Sequence, residues 1–440
     1  MQAMNNGGGY GMKTTMMLRF TTHLAQAGSH AVQAGMRRLS SMMQRGGRRL
    51  RMVLGLSGML ALAGCGGGGF GDMFSDLGPG AQDAPQAEAQ QPAPSAPATG
   101  SKVALLLPLS APGATGQLAR AMKNAAEMAM IDAGRPDITL VVKNTSGNVA
   151  GARAAAEAAL AEGAQLILGP LLANNVRAVG QRARERGVPV IAFSSRAEVA
   201  GNGVYLMSFL PASEVDNVVR HAVKTGKKRI AALIPGTEYG RVVRAALKQA
   251  AQRHGARIVA EETYVRTALG LQAPAQRLGG TLASGGADAL FFPEGPKLLA
   301  AGGEALQAAG MRPERVQLLG TGLWDSPKIR TVRFAQGGWY AGVDPRLVSH
   351  FANRYKQTYG NTPPRLASLA YDATSLAIAL KRLGGFNHAN ITNREGFQGM
   401  NGLFRFRNNG LVERGLAILK VTPTGPQVVA PAPPRFSAGY

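Results

Sequence analysis

The chain has 440 residues, with 49 Lys+Arg against 25 Asp+Glu, a formal net charge of +24 and one cysteine. That length suffices for two or three ordinary domains, while a single cysteine excludes an intramolecular disulfide framework, a zinc ribbon and a CxxC redox centre. The basic excess by itself would point to nucleic acid, so its distribution along the chain matters.

Residues 1–64 hold eight of the cations (Lys13, Arg19, Arg37, Arg38, Arg45, Arg48, Arg49, Arg51), ten of the 17 methionines and no acid. The remainder carries 41 basic and 25 acidic residues, a net of +16. Residues 1–35 are Met- and Gly-rich without periodicity, which predicts translation from Met36, Met42 or Met43. A basic stretch at 45–51, an apolar run at 52–63 and small residues ahead of Cys65 describe a secretory signal. The run is too short for a permanent membrane helix, which needs ~20 apolar residues. Leu62-Ala63-Gly64-Cys65 resembles the lipobox of bacterial lipoproteins. The resemblance implies that Cys65 becomes the acylated mature N-terminus, and two or more acyl chains anchor a protein stably. Gly66 in place of a retention aspartate implies the outer membrane. An exported protein does not meet the chromosome, so the charge reads as an Arg-rich solvated surface and no nucleic-acid partner is expected.

Residues 65–100 read as a Gly/Pro/Ala/Gln-rich linker that lacks the periodicity to build a core. The 35 residues after Cys65 span about 30–35 Å as a flexible coil. From 101 to 421 short apolar runs alternate with amphipathic stretches. Strands are predicted at 103–107, 139–142, 166–168 and 188–193, with helices at 117–133, 149–161 and 174–186 between and after them. A second cycle follows: strands at 229–234, 257–264, 289–292 and 317–319, and helices at 239–254, 271–283 and 296–309. A short strand at 338–341, helices at 347–359 and 366–383, and a closing antiparallel pair at 402–406 and 416–421 complete the domain. This rhythm predicts an α/β protein of two doubly wound, parallel-sheet lobes around a cleft. Lobe 1 is expected to comprise 101–212 and 338–383, and lobe 2 to comprise 213–337 and 384–421. The segment 422–440 reads as a Pro-rich tail.

No GxSxG elbow, HExxH, Walker A or strand-following GxGxxG occurs. The four histidines beyond the signal (His221, His254, His350, His388) are scattered, so no enzyme, metal or cofactor site is expected. The informative residues lie in turns after the strands, where open α/β sheets bind ligands beside helix N-termini. They include Ser110, the 169–176 turn with Asn174 and Asn175, Ser194 and Ser195, Tyr239, Glu294, and 320–325 with Trp324 and Asp325.

Four blocks carry a family resemblance: IAALIPGTEYGRVVRAAL from Ile230, GADALFFPEG from Gly286, LASLAYDATSLAIALKRLGG from Leu366 and GFQGMNGLFRFRNNGLVERGLAILKV from Gly396. In order and spacing the region 101–421 resembles the Leu/Ile/Val-binding type of periplasmic binding proteins, which implies the two-lobed type I fold. Amino-acid receptors of ABC importers hold a zwitterion, with hydroxyls and backbone N–H groups on the carboxylate and an acid on the ammonium. Ser110, Ser194, Ser195 and Tyr239 are the cleft residues the resemblance offers. The hydroxyl expected near Leu172 or Ala173 is missing, and so is the acid near Thr321-Gly322, which leaves Glu294 and Asp325 for a shifted pocket. A buried ammonium without a partner is costly, which makes the missing acid informative. KVALLLPLS from Lys102 and GPLLANNV from Gly169 are more similar to the lipoprotein activators of penicillin-binding proteins. That resemblance implies a peptidoglycan synthase as partner, with contact expected at Asn174, Asn175, Arg177 and Trp324. The familiar activators carry a helical-repeat domain where this chain has the linker. The alternatives are the substrate-binding lipoprotein of an amino-acid importer, with an ABC permease as partner, and a receptor for another small ligand.

Overall fold

The computed structural model describes residues 100–134 and 136–436. The expected signal segment, Cys65 and its linker up to residue 99 lie outside the described residues.

Strands β1 (Ser101–Leu107), β2 (Ile138–Asn144), β3 (Leu166–Leu168), β4 (Val190–Ala192) and β5 (Val204–Leu206) form a wholly parallel sheet in the order β2-β1-β3-β4-β5. Helices α1 (Gly113–Asp132), α2 (Val149–Ala161) and α3 (Ala173–Glu185) make the crossovers. Two-sided burial explains the unbroken apolar text of β1. Val103, Leu105 and Leu107 join α1 in one core, and Ala104 and Leu106 join α2 and α3 in the other. Truncating one of these buried leucines to alanine costs about 2–5 kcal/mol.

Helix α4 (Pro211–Lys224) opens the second lobe and is followed by β6 (Arg229–Pro235), α5 (Glu238–His254), β7 (Arg257–Tyr264), α6 (Gln272–Ala283), β8 (Ala289–Phe291), α7 (Pro296–Ala308), β9 (Gln317–Leu319) and β10 (Trp339–Gly342). Again the strands face two ways: Ala231 and Leu233 enter one core, Ile230, Ala232 and Ile234 the other. The chain then returns to the first lobe with α8 (Pro345–Tyr359), α9 (Ser368–Arg382) and the short α10 (His388–Ile391). An antiparallel sheet follows, formed by β11 (Phe397–Gly399), β12 (Gly402–Phe406) and β13 (Val412–Arg414). Finally β14 (Ala417–Lys420) and β15 (Gln427–Ala430) complete the second sheet, in the order β15-β14-β10-β9-β8-β6-β7.

The predicted two-lobed α/β architecture is present, and three expectations change. Residues 338–342 belong to lobe 2, because β10 pairs in parallel with β9 and antiparallel with β14. Residues 384–414 belong largely to lobe 1, where Phe404, Phe406 and Val412 join the α1/α9 core. The expected closing pair is not a pair: β12 bonds β11 and β13, and β14 bonds β10 and β15. The Pro-rich tail also contributes a strand, β15. Strand β5 and helix α4 had no sequence prediction. The chain therefore crosses between lobes near 207–210, 343–344 and 415–416.

Candidate functional site

The loops at the carboxyl ends of the two sheets meet. Arg196, after β4, stands 2.9 Å from Glu238 at the start of α5. Arg365, beside α1 and α9, forms an ion pair with Asp325 of the second lobe. In lobe 1 Ser110 is exposed, and its hydroxyl accepts from Asn144 Nδ2 at 2.9 Å. Ser194 is buried, with its Oγ accepting from the Arg196 N–H, whereas Ser195 is exposed.

In lobe 2 every predicted polar residue is engaged by the protein itself. Tyr239 Oη and Thr321 Oγ1 are 2.8 Å apart, and burial pushes the Tyr239 hydroxyl well above its ordinary pKa. Glu294 is 1% exposed and accepts from Tyr264 Oη at 2.8 Å, from Arg266 Nε and Nη2 at 3.0 and 2.8 Å, and from its neighbour's Gly295 N–H at 2.8 Å. Burial alone would raise this carboxyl, but those hydrogen bonds and the Arg266 charge hold it below the ordinary value. Asp325 is taken by Arg365 and by the Tyr340 hydroxyl.

Sequence reasoning missed a third acid there. Glu214, in the first turn of α4, accepts from the Gly322 N–H at 2.8 Å. Its pKa is raised, first by burial and also by the negative Asp325, against the opposing pull of Gly322 N–H and Arg365. Glycine at 322 lets the carboxylate come close, since a Cβ there would push the Glu214 side chain aside.

At the crossing near residue 209, the Phe209 ring is in contact with two guanidinium groups, Arg365 4.8 Å and Arg414 4.9 Å from its centroid. Arg414 is fully buried and donates to Ser208 O at 2.9 Å. Burial lowers its pKa to about 10, against the pull of Asp372, so it stays charged at neutral pH. Asp372, buried in α9, accepts from Met400 N–H at 2.7 Å and Asn401 Nδ2 at 2.8 Å. Neither Arg414 nor Asp372 has a local signal, because each is an ordinary charged residue in amphipathic text until the lobes assemble around it.

Two expected partner contacts are corrected. Trp324 is 0% exposed, packs against Gly320 and Gly338, and donates its indole N–H to Glu294 O at 3.1 Å. Asn175 is 2% exposed. Asn174 and Arg177 are at the surface, joined by an Arg177 Nη1 to Asn174 Oδ1 bond of 2.7 Å. The turn that presents them begins at Gly169, whose φ of +90° suits glycine and where a Cβ would strike Leu106 O. Among the described residues no group of His, Cys, Asp and Glu could hold a metal ion, and no helix is long and apolar enough to cross a membrane.

Two α/β lobes, one with a parallel and one with a mixed sheet, joined by three crossings and with facing loops at the strand carboxyl ends, define a two-lobed binding protein. Residues 101–426 match the periplasmic binding protein family, and the chain belongs to it, in the Leu/Ile/Val-binding-like type I branch. The family is a ligand-binding one, and its location is the periplasm. Among similar solved structures is one from Rhodospirillum rubrum described as a branched-chain amino acid ABC transporter protein (18% identity, TM-score 0.66, covering 75% of this chain and all of that one). Another is a branched-chain amino acid ABC transporter ligand-binding protein from Burkholderia xenovorans (18%, TM-score 0.59, 76% and 96%). A third is the C-domain of LpoA from Haemophilus influenzae, a regulator of PBP1A (17%, TM-score 0.60, 75% and 100%). At these identities the likeness establishes the fold. A comparison with curated proteins returned no match.

Proposed function

We propose that this is a non-enzymatic, lipid-anchored envelope protein whose binding-protein domain docks onto and activates a peptidoglycan synthase. The observation that carries the reading is the state of the acids in the cleft. An amino-acid receptor needs a carboxylate free for the ammonium. Here Glu294 is held by Arg266 and Tyr264, Asp325 by Arg365, and Glu214 by the Gly322 N–H. The Arg365–Asp325 pair also ties one lobe to the other, which suits a docking body better than a solute carrier that must open and close. The KVALLLPLS and GPLLANNV segments support the same reading, and a PBP1A regulator shares the fold. Cys65 supplies the anchor and Gly66 favours the outer membrane.

The test is a pulldown of the cell's bifunctional penicillin-binding proteins with the acylated protein, followed by a transpeptidase assay. Retention of a synthase and a faster transpeptidase rate are expected. If no synthase is retained and leucine or a related amino acid raises the melting temperature, the importer reading replaces this one. Palmitate should label the parent and not Cys65→Ser; label in neither removes the anchor.

A further inference from the structure

At the end of lobe 2 away from the cleft, where its parallel strands begin, cations stand in a row. Arg257 opens β7, Lys227 and Lys228 precede β6, and Arg312 and Arg315 precede β9. The sheet register sets these positions along one edge. Arg229 is level with Arg257, the Arg257 N–H donates to Lys228 O at 2.8 Å, and the Gln317 N–H, just after Arg315, donates to Asp288 O at 3.0 Å. Where β14 turns into β15 at the same end, a cavity of ≈ 560 Å³ is lined by Arg330, Thr422, Thr424 and Gln427 among others. From β14 across β10, β9, β8 and β6 to β7, the row is about 24 Å long at about 4.8 Å per strand. It is built from lobe 2 alone, so nothing in it depends on the synthase reading.

Three observations give the row a chemistry. First, its charge is uncommitted. Lys227 is half-buried and the other five are exposed, and none of the six is in an ion pair among the described residues. Asp288, in the middle of the row, is already held by Arg229 through Nε at 3.1 Å and Nη2 at 2.6 Å, which leaves Glu314 as the acid of these loops without a partner among the described residues. Lysine and arginine stay charged at any physiological pH. Second, the row is not the overall basic excess showing through. Among the described residues the corresponding loops of lobe 1 hold Lys102 and Arg186 against Asp137 and Glu162, and Lys102 Nζ donates to Glu162 O at 2.7 Å. Third, none of the large exposed apolar side chains among the described residues lies in these loops. Protein interfaces centre on buried apolar and aromatic anchors, and cations spread along a line, instead of converging on one point, suit a chain better than a compact ion.

We propose that this edge of lobe 2 binds a linear polyanion, a polymer with carboxylate or phosphate groups repeated along its length. Arg257, Lys228 and Arg315 meet successive anionic groups, and Arg330 takes a further one at the cavity beside Thr422 and Thr424. Each contact is an exposed ion pair and weak by itself, so affinity comes from their number and from the counterions released, and it falls as salt rises. The row supplies charge and no nucleophile or base, so it holds a polymer and performs no chemistry on it.

Fluorescence anisotropy of labelled poly-L-glutamate and of labelled polyphosphate, titrated with the full chain over a series of NaCl concentrations, tests this. Saturable, salt-sensitive binding of at least one polymer is expected, and the tighter of the two assigns carboxylate or phosphate. The triple change Lys228→Gln, Arg257→Gln and Arg315→Gln should weaken binding by about 10-fold or more and lower the salt slope by about 2, as loss of three single-strand phosphate contacts does. Arg153→Gln, Arg186→Gln and Lys356→Gln remove the same charge from exposed positions of lobe 1 that are in no ion pair among the described residues. That control triple should leave the affinity within about twofold of the parent, since distant exposed charges are screened. All six changes are at the surface, and unaltered melting temperatures confirm that both triples are folded. Absence of saturable binding by both polymers overturns the proposal. Equal weakening by the two triples overturns it as well, because binding would then follow net charge alone. So does displacement of both polymers by phosphatidylglycerol vesicles that the lobe 2 triple abolishes, which reassigns the row to a membrane surface.

Discussion

The two lobes repeat one architecture, and two of their helices, α3 and α5, begin in opposite ways at the carboxyl ends of their strands. In lobe 2 the start of α5 and the Glu294 carboxylate are satisfied from within. Thr237 Oγ1 caps α5 by accepting from the Gly240 N–H at 3.1 Å, Glu238 sits in its first turn, and Glu294 is enclosed by Tyr264 and Arg266. In lobe 1 the start of α3 is left incomplete: among the described residues no side chain caps it and Asn175 Nδ2 has no acceptor. An edge saturated by its own side chains stabilises the lobe, whereas an edge with donors to spare is one where something else can bind. The difference lies in a few side chains, since both edges have the same strand-to-helix geometry.

The largest expected effect is at the joint between the lobes. Asp372→Ala should cost about 3–5 kcal/mol in a denaturant titration, because it removes the acceptor shared by the buried Met400 N–H, Asn401 N–H and Asn401 Nδ2 and leaves those donors unsatisfied. A cost below 1 kcal/mol would mean that the joint is held by packing alone. Next comes Glu294→Gln, expected to cost about 2–3 kcal/mol through loss of the charge-assisted bonds to a buried carboxylate.

Acid sensitivity sharpens the contrast within lobe 2. Glu294 has a lowered folded pKa, so its contribution is present above its unfolded value of 4.5 and lost as pH falls through the folded value. Glu294→Gln should therefore flatten the acid limb of the stability profile. Glu214 has a raised folded pKa, so its contribution is present below 4.5 and lost as pH rises through the folded value. Glu214→Gln should gain on the parent as pH rises over that window, and melting curves from pH 3 to 8 measure both signs.

Smaller effects test the tie and the caps. Arg365→Met should cost about 1 kcal/mol, as a partly exposed pair does, and enlarge the radius of gyration in small-angle scattering. An unchanged scattering profile would show that the pair does not restrain the lobes. At the helix starts, Thr237→Ala should cost about 1 kcal/mol, whereas Leu172→Asp should add up to about 1 kcal/mol by capping α3.

Most of the α/β order can be read locally. The run 103–107 is apolar on both faces, and 239–254 is amphipathic and stopped by Gly255, which adopts the left-handed conformation at the end of α5. Helix α4 escaped that reading. Its Pro211 and Glu214 are a proper helix start, but the preceding crossing has no regular pattern to announce it. The site was legible as positions and illegible as states. Ser194, Tyr239, Glu294 and Asp325 lie beside the carboxyl ends of strands, and which of them is already engaged depends on Arg266, Thr321 and Arg365, each brought from another element.

The sequence by itself determined the class of fold, because strand and helix periodicities and the glycine and proline punctuation act over a few residues. The tertiary structure alone decided that residues 338–342 leave lobe 1 for the second sheet, that Trp324 is core, and that Asn175 is buried. Those outcomes depend on pairing and burial between segments far apart in the chain, and no local pattern encodes which distant group will arrive. The same holds for the charge. The net +24 is a property of composition, but whether a given arginine is solvated, paired across the lobes or left facing a cavity is set by what folds against it.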